Sequence, residues 1–182
     1  MDPRIGRTRE QVLSQAMQLL ATAGPDAVTY SELAVRAQVA RQTLYRHWPT
    51  RERLFEDLVR ENRYLSSPRR LQVSGSSQEI ILSFMAALRS VVQDQANAAV
   101  LITLVAQAVY DRTSGALLTE LMGKHRANLN DMLESSGVTI SSDDFDLLCA
   151  PVIYQRFFSG MPASDEFVKC LVDRFLATEE GI

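Results

Sequence analysis

Residues 29–51, TYSELAVRAQVARQTLYRHWPTR, decide the fold. They read as two short helices joined by a tight turn. Thr29 and Glu32 have the Thr-x-x-Glu spacing of a capping box, so the first helix starts at Tyr30. Pro49 closes the second helix, and Thr50 is a good N-cap for a third, with Arg51 in its first turn. Ala34, Val39, Leu44 and Trp48 are spaced to pack the two short helices on each other.

On a wheel of about 100° per residue with Arg41 at zero, Leu44 and Trp48 fall at roughly 300° and 340°, a narrow inward stripe. Arg46 lies on the far side near 140°, with Gln42 and Thr43 within about 60° of it. Tyr45 and His47 take the flanks. Such a face can be a merely solvated one. Its chemistry also suits DNA: Arg pairs bidentately with guanine, Gln with adenine, and Thr offers a hydroxyl and a methyl. The pattern therefore predicts a helix-turn-helix whose second helix enters the major groove. Arg41, Gln42, Thr43 and Arg46 are assigned to base edges, and Thr29, Tyr45, His47 and Arg51 to phosphates. The helix starts near Thr29 and Thr50 add free amides and a favourable dipole for backbone anchoring.

Upstream, Thr8 and Gln11 form a candidate box before the stripe Val12, Leu13, Ala16, Leu19, Leu20 and Ala23, and Gly24-Pro25-Asp26 stops that helix. With these in place, the run Gly24…Thr29…Leu33-Ala34…Val39…Leu44-Tyr45-x-His47-Trp48-x-x-Arg51-x-x-Leu54 resembles the N-terminal domain of TetR-type bacterial transcriptional regulators. LYxHW matches that family's LYxHF signature, and the spacing holds over roughly the first 60 residues. The resemblance implies an all-helical homodimer that binds a palindromic operator, usually represses, and is released by a small molecule in its C-terminal helices. Three positions depart from the pattern. Gln38 replaces a common turn Gly and is expected at positive φ, at a cost of roughly 1 kcal/mol. Ala40 replaces the usual Ser cap, a loss of about 1 kcal/mol. Arg51 stands for a phosphate-contacting Lys, work a guanidinium can do.

The net charge of −3 is unevenly distributed. Residues 1–51 carry seven Arg against four acids, a balance of +3, and the rest twelve basic residues against eighteen acids, −6. Positive charge, including Arg4, Arg7 and Arg9, gathers where phosphates would lie. No apolar run approaches the ~20 residues of a membrane helix, and no signal-like segment opens the chain, which leads to a cytoplasmic expectation. Cys149 and Cys170 lie in apolar stripes and read as buried hydrophobes in a reducing compartment. No HExxH, GxSxG, P-loop or CxxC occurs, and two distant His with two distant Cys make no zinc site; no enzyme, metal or cofactor is expected.

Beyond the helix opened by Thr50, which should run to about Tyr64, SSPRRLQVSGSS reads as a linker. The expected fold is all-α, about nine helices, with a DNA-binding domain over 1–64 and an effector-binding and dimerisation domain over 65–182. Ser76 and Glu79 box the next helix. Residues 96–110 are apolar nearly all round, as in a helix central to a bundle. An amphipathic helix over 114–135 ends at Gly137. Residues 143–159 carry two apolar stripes, one of them Leu147, Tyr154 and Phe158, and Pro151 should bend this helix. Ser164 caps the last helix. Helices apolar on two sides need a partner outside their own subunit, so Phe157 and Phe175 are assigned to a dimer interface. Phe84, Leu88, Leu104, Met122, His125 and Tyr154 are the candidate lining of a pocket for an apolar or amphipathic effector, against the plain alternative of core packing. The competing functional class is a helical dimer that keeps the fold and works through partner proteins. Arg41, Gln42, Arg46 and Arg51 weigh against it.

Overall fold

A computed structural model describes residues 3–66 and 75–179, without the side chains of residues 3–6, 63, 66, 178 and 179. All regular structure among them is helical: α1 (Pro3–Ala23), α2 (Tyr30–Arg36), α3 (Arg41–His47), α4 (Arg51–Glu61), α5 (Arg63–Ser66), α6 (Ser77–Gln93), α7 (Gln95–Ala108), α8 (Arg112–Leu133), α9 (Ser142–Phe157) and α10 (Asp165–Glu179). Single 3-10 turns cover Pro25–Ala27 and Glu134–Ser136. Most of the expected linker, residues 67–74, lies outside the described residues, as does the Arg4 side chain.

Local chemistry accounts for most helix ends. The Thr29 hydroxyl accepts from the Glu32 amide at 3.2 Å. The return half of that box is not formed, because the Glu32 carboxylate takes Arg36 at 2.7 Å and the Thr29 amide goes to the Ala27 carbonyl. Ser76 with Glu79 is a complete capping box. Ser141 with Asp144 is another, which sequence reading passed over. Asp111 takes the Ser114 amide at 2.6 Å and opens α8. Gly137, at φ 72, lies just past the end of the 3-10 turn that follows α8. The box expected at Thr8 is absent: α1 already runs from Pro3, a residue the first turn of a helix tolerates, so Thr8 sits inside it. The helix after Thr50 stops at Glu61 rather than near Tyr64, because the Asn62 side chain caps the next turn by accepting from the Tyr64 and Leu65 amides. α9 is continuous through Pro151, which offers no N–H to the Leu147 carbonyl.

The chain forms two compact units. The first comprises residues 1–66 with 95–121, so the helices of 1–64 are joined by α7 and the first half of α8. The reason is packing: α7 lies against α1 and α4, burying Val100, Leu101 and Leu104 with Leu19, Leu20, Phe55 and Leu58 in that unit's core. A buried side-chain bond from Asn62 to Asn97 at 2.7 Å, and one from Gln95 to the Ala21 carbonyl at 2.8 Å, fix its register. α7 is not enclosed, however. Ile102 and Val105 are exposed, as is Val109 just past its end, a correction to the reading of this helix as wholly central.

The second unit contains α6, the later part of α8, α9 and α10. α6 packs on both α9 and α10, with Ile80, Ile81, Phe84, Leu148, Val152 and Val172 in the core. Arg89 ties α6 to the start of α10 through Asp165 at 2.5 Å, and Arg156 donates to the Val92 carbonyl at 2.9 Å. Cys149 is buried as expected, and desolvation pushes its thiol up to about 12. Cys170 is exposed instead, because Val168 and Val172 hold the inward side of α10 and the residue midway between them must point out.

Candidate nucleic-acid interface

The turn between α2 and α3 is built around Gln38, at φ 52. The Val39 amide reaches back to the Ala34 carbonyl at 3.0 Å and the Gln38 amide to Val35 at 3.3 Å. These are the two bonds of a Schellman motif, which places a left-handed residue after the helix C-cap. Ala34 and Val39, half-buried, make the apolar pair that accompanies the motif, while Leu33 and Ala37 are the fully buried members of α2. Of the four residues expected to pack the two helices together, Leu44 and Trp48 are buried and Ala34 and Val39 only half-buried. The left-handed Gln38 lets the chain turn between Arg36 and Arg41 from one helix into the next.

α3 then starts at Arg41 without a side-chain cap, since Ala40 has none to give. Leu44 and Trp48 are 0% and 1% exposed and hold the helix on its inward side. Arg41, Gln42, Tyr45 and Arg46 are exposed, with Thr43 and His47 half-buried. No acidic residue occurs in α3, so its outer face offers donors and cationic charge without internal neutralisation.

The flanks are braced. The Tyr45 ring meets Tyr30 edge-on at 4.5 Å, and the Tyr30 hydroxyl donates to the Trp48 carbonyl at 2.5 Å. Burial, and then the neighbouring Tyr45 and Glu52, push the Tyr30 phenol above its ordinary value, so it stays a donor. The Thr29 side chain is exposed at the start of α2. Arg51 points inward: its guanidinium donates to the Pro25 carbonyl and lies over the Phe55 ring at 5.4 Å, while its Nε is buried without a partner. Arg9, counted with the phosphate-facing charge, is instead paired with Asp57 at 2.8 Å and Glu61 at 2.6 Å. Those carboxylates lie a full 48 and 52 residues away, beyond any local pattern. Arg7 remains exposed.

The candidate effector residues are divided between the two units. In the second unit Phe84 is buried edge-on to Phe145 at 6.0 Å, and Leu88, Met122 and His125 are half-buried. Leu104 is fully buried in the first unit. Tyr154 lines no interior: it is 58% exposed and stacks on Phe158 at 5.4 Å, beside exposed Leu147 on the outer side of α9. That side continues the second apolar stripe, so the outward placement follows the wheel rather than the pocket assignment. Phe157 and Phe175 are half-buried. An open groove of about 400 Å³ runs along α10 past Glu166, Lys169, Cys170, Asp173, Arg174 and Ala177, and includes none of the candidate effector residues. Among the described residues no helix is long and apolar enough to cross a membrane.

Comparison with known proteins agrees with this geometry. Residues 12–58 match the sequence profile of the bacterial regulatory proteins, tetR family. Over 180 residues the chain is 26% identical to the uncharacterized HTH-type transcriptional regulator YdeS of Bacillus subtilis strain 168, covering 93% of this chain and 88% of that one. A TetR transcriptional regulator from Agrobacterium tumefaciens has the same fold, with TM-score 0.70, 22% identity and 94% of each chain covered. A transcriptional regulator from Saccharomonospora viridis, solved in complex with choline, superposes with TM-score 0.67 and 15% identity over 94% of this chain and 96% of that one.

Proposed function

From the premise that this chain is a TetR-type transcriptional regulator, we propose that it works in the cytoplasm as a homodimer on a palindromic operator, as a repressor released by a small-molecule effector. The observation that carries the reading is α3: an exposed, acid-free face of Arg41, Gln42, Thr43 and Arg46 held in place by buried Leu44 and Trp48. These four side chains read base edges. Thr29, Tyr45, His47 and Arg51 grip phosphates on the walls of the groove, and Arg51 exchanges the Pro25 carbonyl for a phosphate oxygen when DNA arrives. In a two-fold dimer both sets act twice, one helical turn of DNA apart.

The dimer surface is supported by the outer side of α9, where Leu147, Tyr154 and Phe158 are exposed, flanked by half-buried Phe157 and, on α10, Phe175. Stacked aromatics left in water at this density suit a second copy of the same helices. Effector binding belongs to the second unit, near Phe84, Leu88, Met122 and His125. A fold relative that holds choline supports a small-molecule role for this architecture.

Selection of bound sequences from random duplex DNA tests the DNA-reading part, and loss of that binding on adding candidate small molecules tests the release. A two-fold symmetric consensus is expected, with a steep negative dependence of affinity on salt. No enrichment and no salt dependence would leave the chain a helical module that acts through protein partners.

A further inference from the structure

α3 is only seven residues long, its start has no side-chain cap, and the turn before it is strained at Gln38. A helix so weakly held at one end depends on the other for its orientation. That other end is Trp48, and every polar group of Trp48 is engaged. Its amide donates to the Leu44 carbonyl at 2.8 Å, its carbonyl accepts from Tyr30, and its indole Nε1 donates to Asp57 Oδ2 at 2.8 Å. The same Asp57 oxygen accepts from Arg9 Nη2 at 2.8 Å, and Arg9 Nη1 continues to Glu61, one turn further along α4. Trp48 is 1% exposed, so an indole N–H deprived of Asp57 would have no water to turn to.

We propose that Asp57, oriented by Arg9, is the positioning residue for base reading: by holding the Trp48 indole it sets the roll of α3 and thereby where Gln42 and Arg46 meet the base edges. The inference rests on the DNA-reading function proposed above. It concerns a residue outside the set assigned to bases and phosphates, whose role arises from this chain's Trp at the helix end. A Phe ring would fill much of the same volume but has no donor to satisfy, so the requirement for Asp57 is tied to the indole. Arg9 matters because it bridges a turn of α4 and keeps the carboxylate aimed at the indole.

The test is a double-mutant cycle of Asp57→Leu, Trp48→Phe and the two together on the intact protein, read as affinity for the selected operator relative to random duplex DNA. Asp57→Leu keeps the side-chain bulk and removes the acceptor. Operator discrimination should fall about tenfold, because an α3 that rolls away from its seat loses base contacts each worth a discrimination of that order. Random-duplex affinity and its salt slope should hold, since no phosphate contact is touched. Trp48→Phe with Asp57→Leu removes donor and acceptor together and should restore most of the lost discrimination. Trp48 is the chain's single tryptophan, so its fluorescence reports the indole environment directly, and Asp57→Leu should shift it. If Asp57→Leu does not fold while the double variant folds and reads the operator, the coupling is supported. Equal discrimination by wild type and Asp57→Leu overturns the proposal, as does failure of both variants to fold, which would give Asp57 a role independent of the indole. Wild-type protein that binds no DNA at all refutes the functional reading itself, a result distinct from each of these.

Discussion

Replacing Gln38 by Gly should stabilise the first unit, because a left-handed φ of 52 is adopted here by a residue with a Cβ. That conformation costs an L-residue roughly 1–2 kcal/mol, and Gly escapes it. Against this, Gly loses more backbone freedom on folding, about 0.5–1 kcal/mol relative to a residue with a side chain. Gln38 is exposed, so no packing is lost with its side chain. The balance is a gain of about 0.5–1 kcal/mol, or a rise of roughly 1–4 °C in Tm for a chain of this length. Thermal unfolding at fixed protein concentration measures the gain, and hydrogen exchange at the Gln38 and Val39 amides locates it, since both close the Schellman turn. Gln38→Val should go the other way, because a β-branched side chain tolerates positive φ worst. A Gly variant less stable than wild type, or a Val variant equal to it, would refute the claim that strain at this turn is released by removing the Cβ.

Other expectations follow from the same geometry. Arg46→Ala should cost about 1–3 kcal/mol on the selected operator and relax preference at one base pair of each half-site, whereas Arg51→Ala should weaken all sequences alike and lower the salt slope by about one unit per contact. Binding to operators mutated position by position separates the two; an unchanged slope for Arg51→Ala would confine that residue to its bond with the Pro25 carbonyl. Phe158→Glu, on the exposed side of α9, should give a monomer by sedimentation at micromolar concentration, and an intact dimer would move the interface elsewhere. One thiol, Cys170, should react with an aromatic disulfide reagent under native conditions and two after unfolding, because the buried Cys149 thiol is held at about 12; two fast equivalents in the native protein would contradict that burial. Glu79 and Asp111 are held below their ordinary 4.5 and 3.8, each chiefly by a backbone amide, of Ser76 and Ser114 respectively. Their contribution to the starts of α6 and α8 is present above those ordinary values and is lost as pH falls through the lowered ones. Protection of the Ser76 and Ser114 amides, taken relative to their intrinsic exchange at each pH, should fall there, and unchanged protection through acid pH would show the caps to be inert.

Helix ends and inward stripes were legible in the chain because both are decided within four residues along it. Thr29, Thr50, Ser76 and Ser164 cap where their spacing predicts. Leu44 and Trp48 are buried where the wheel places them, and Gln38 takes the positive φ that its place in the turn demands. The outward set on α3 follows from the same periodicity. The pairing of charges belonged to the tertiary structure. Nothing near Arg9 announces Asp57 and Glu61, and nothing near Arg51 announces the Pro25 carbonyl; each partner is brought up from a distant stretch by the packing of α1 and α4. Coverage of apolar sides was likewise undecided by periodicity, which marks Ile102, Cys170 and Tyr154 as apolar positions without saying which neighbour covers them. Burial is a property of two surfaces meeting, and one strand of sequence carries only one of them.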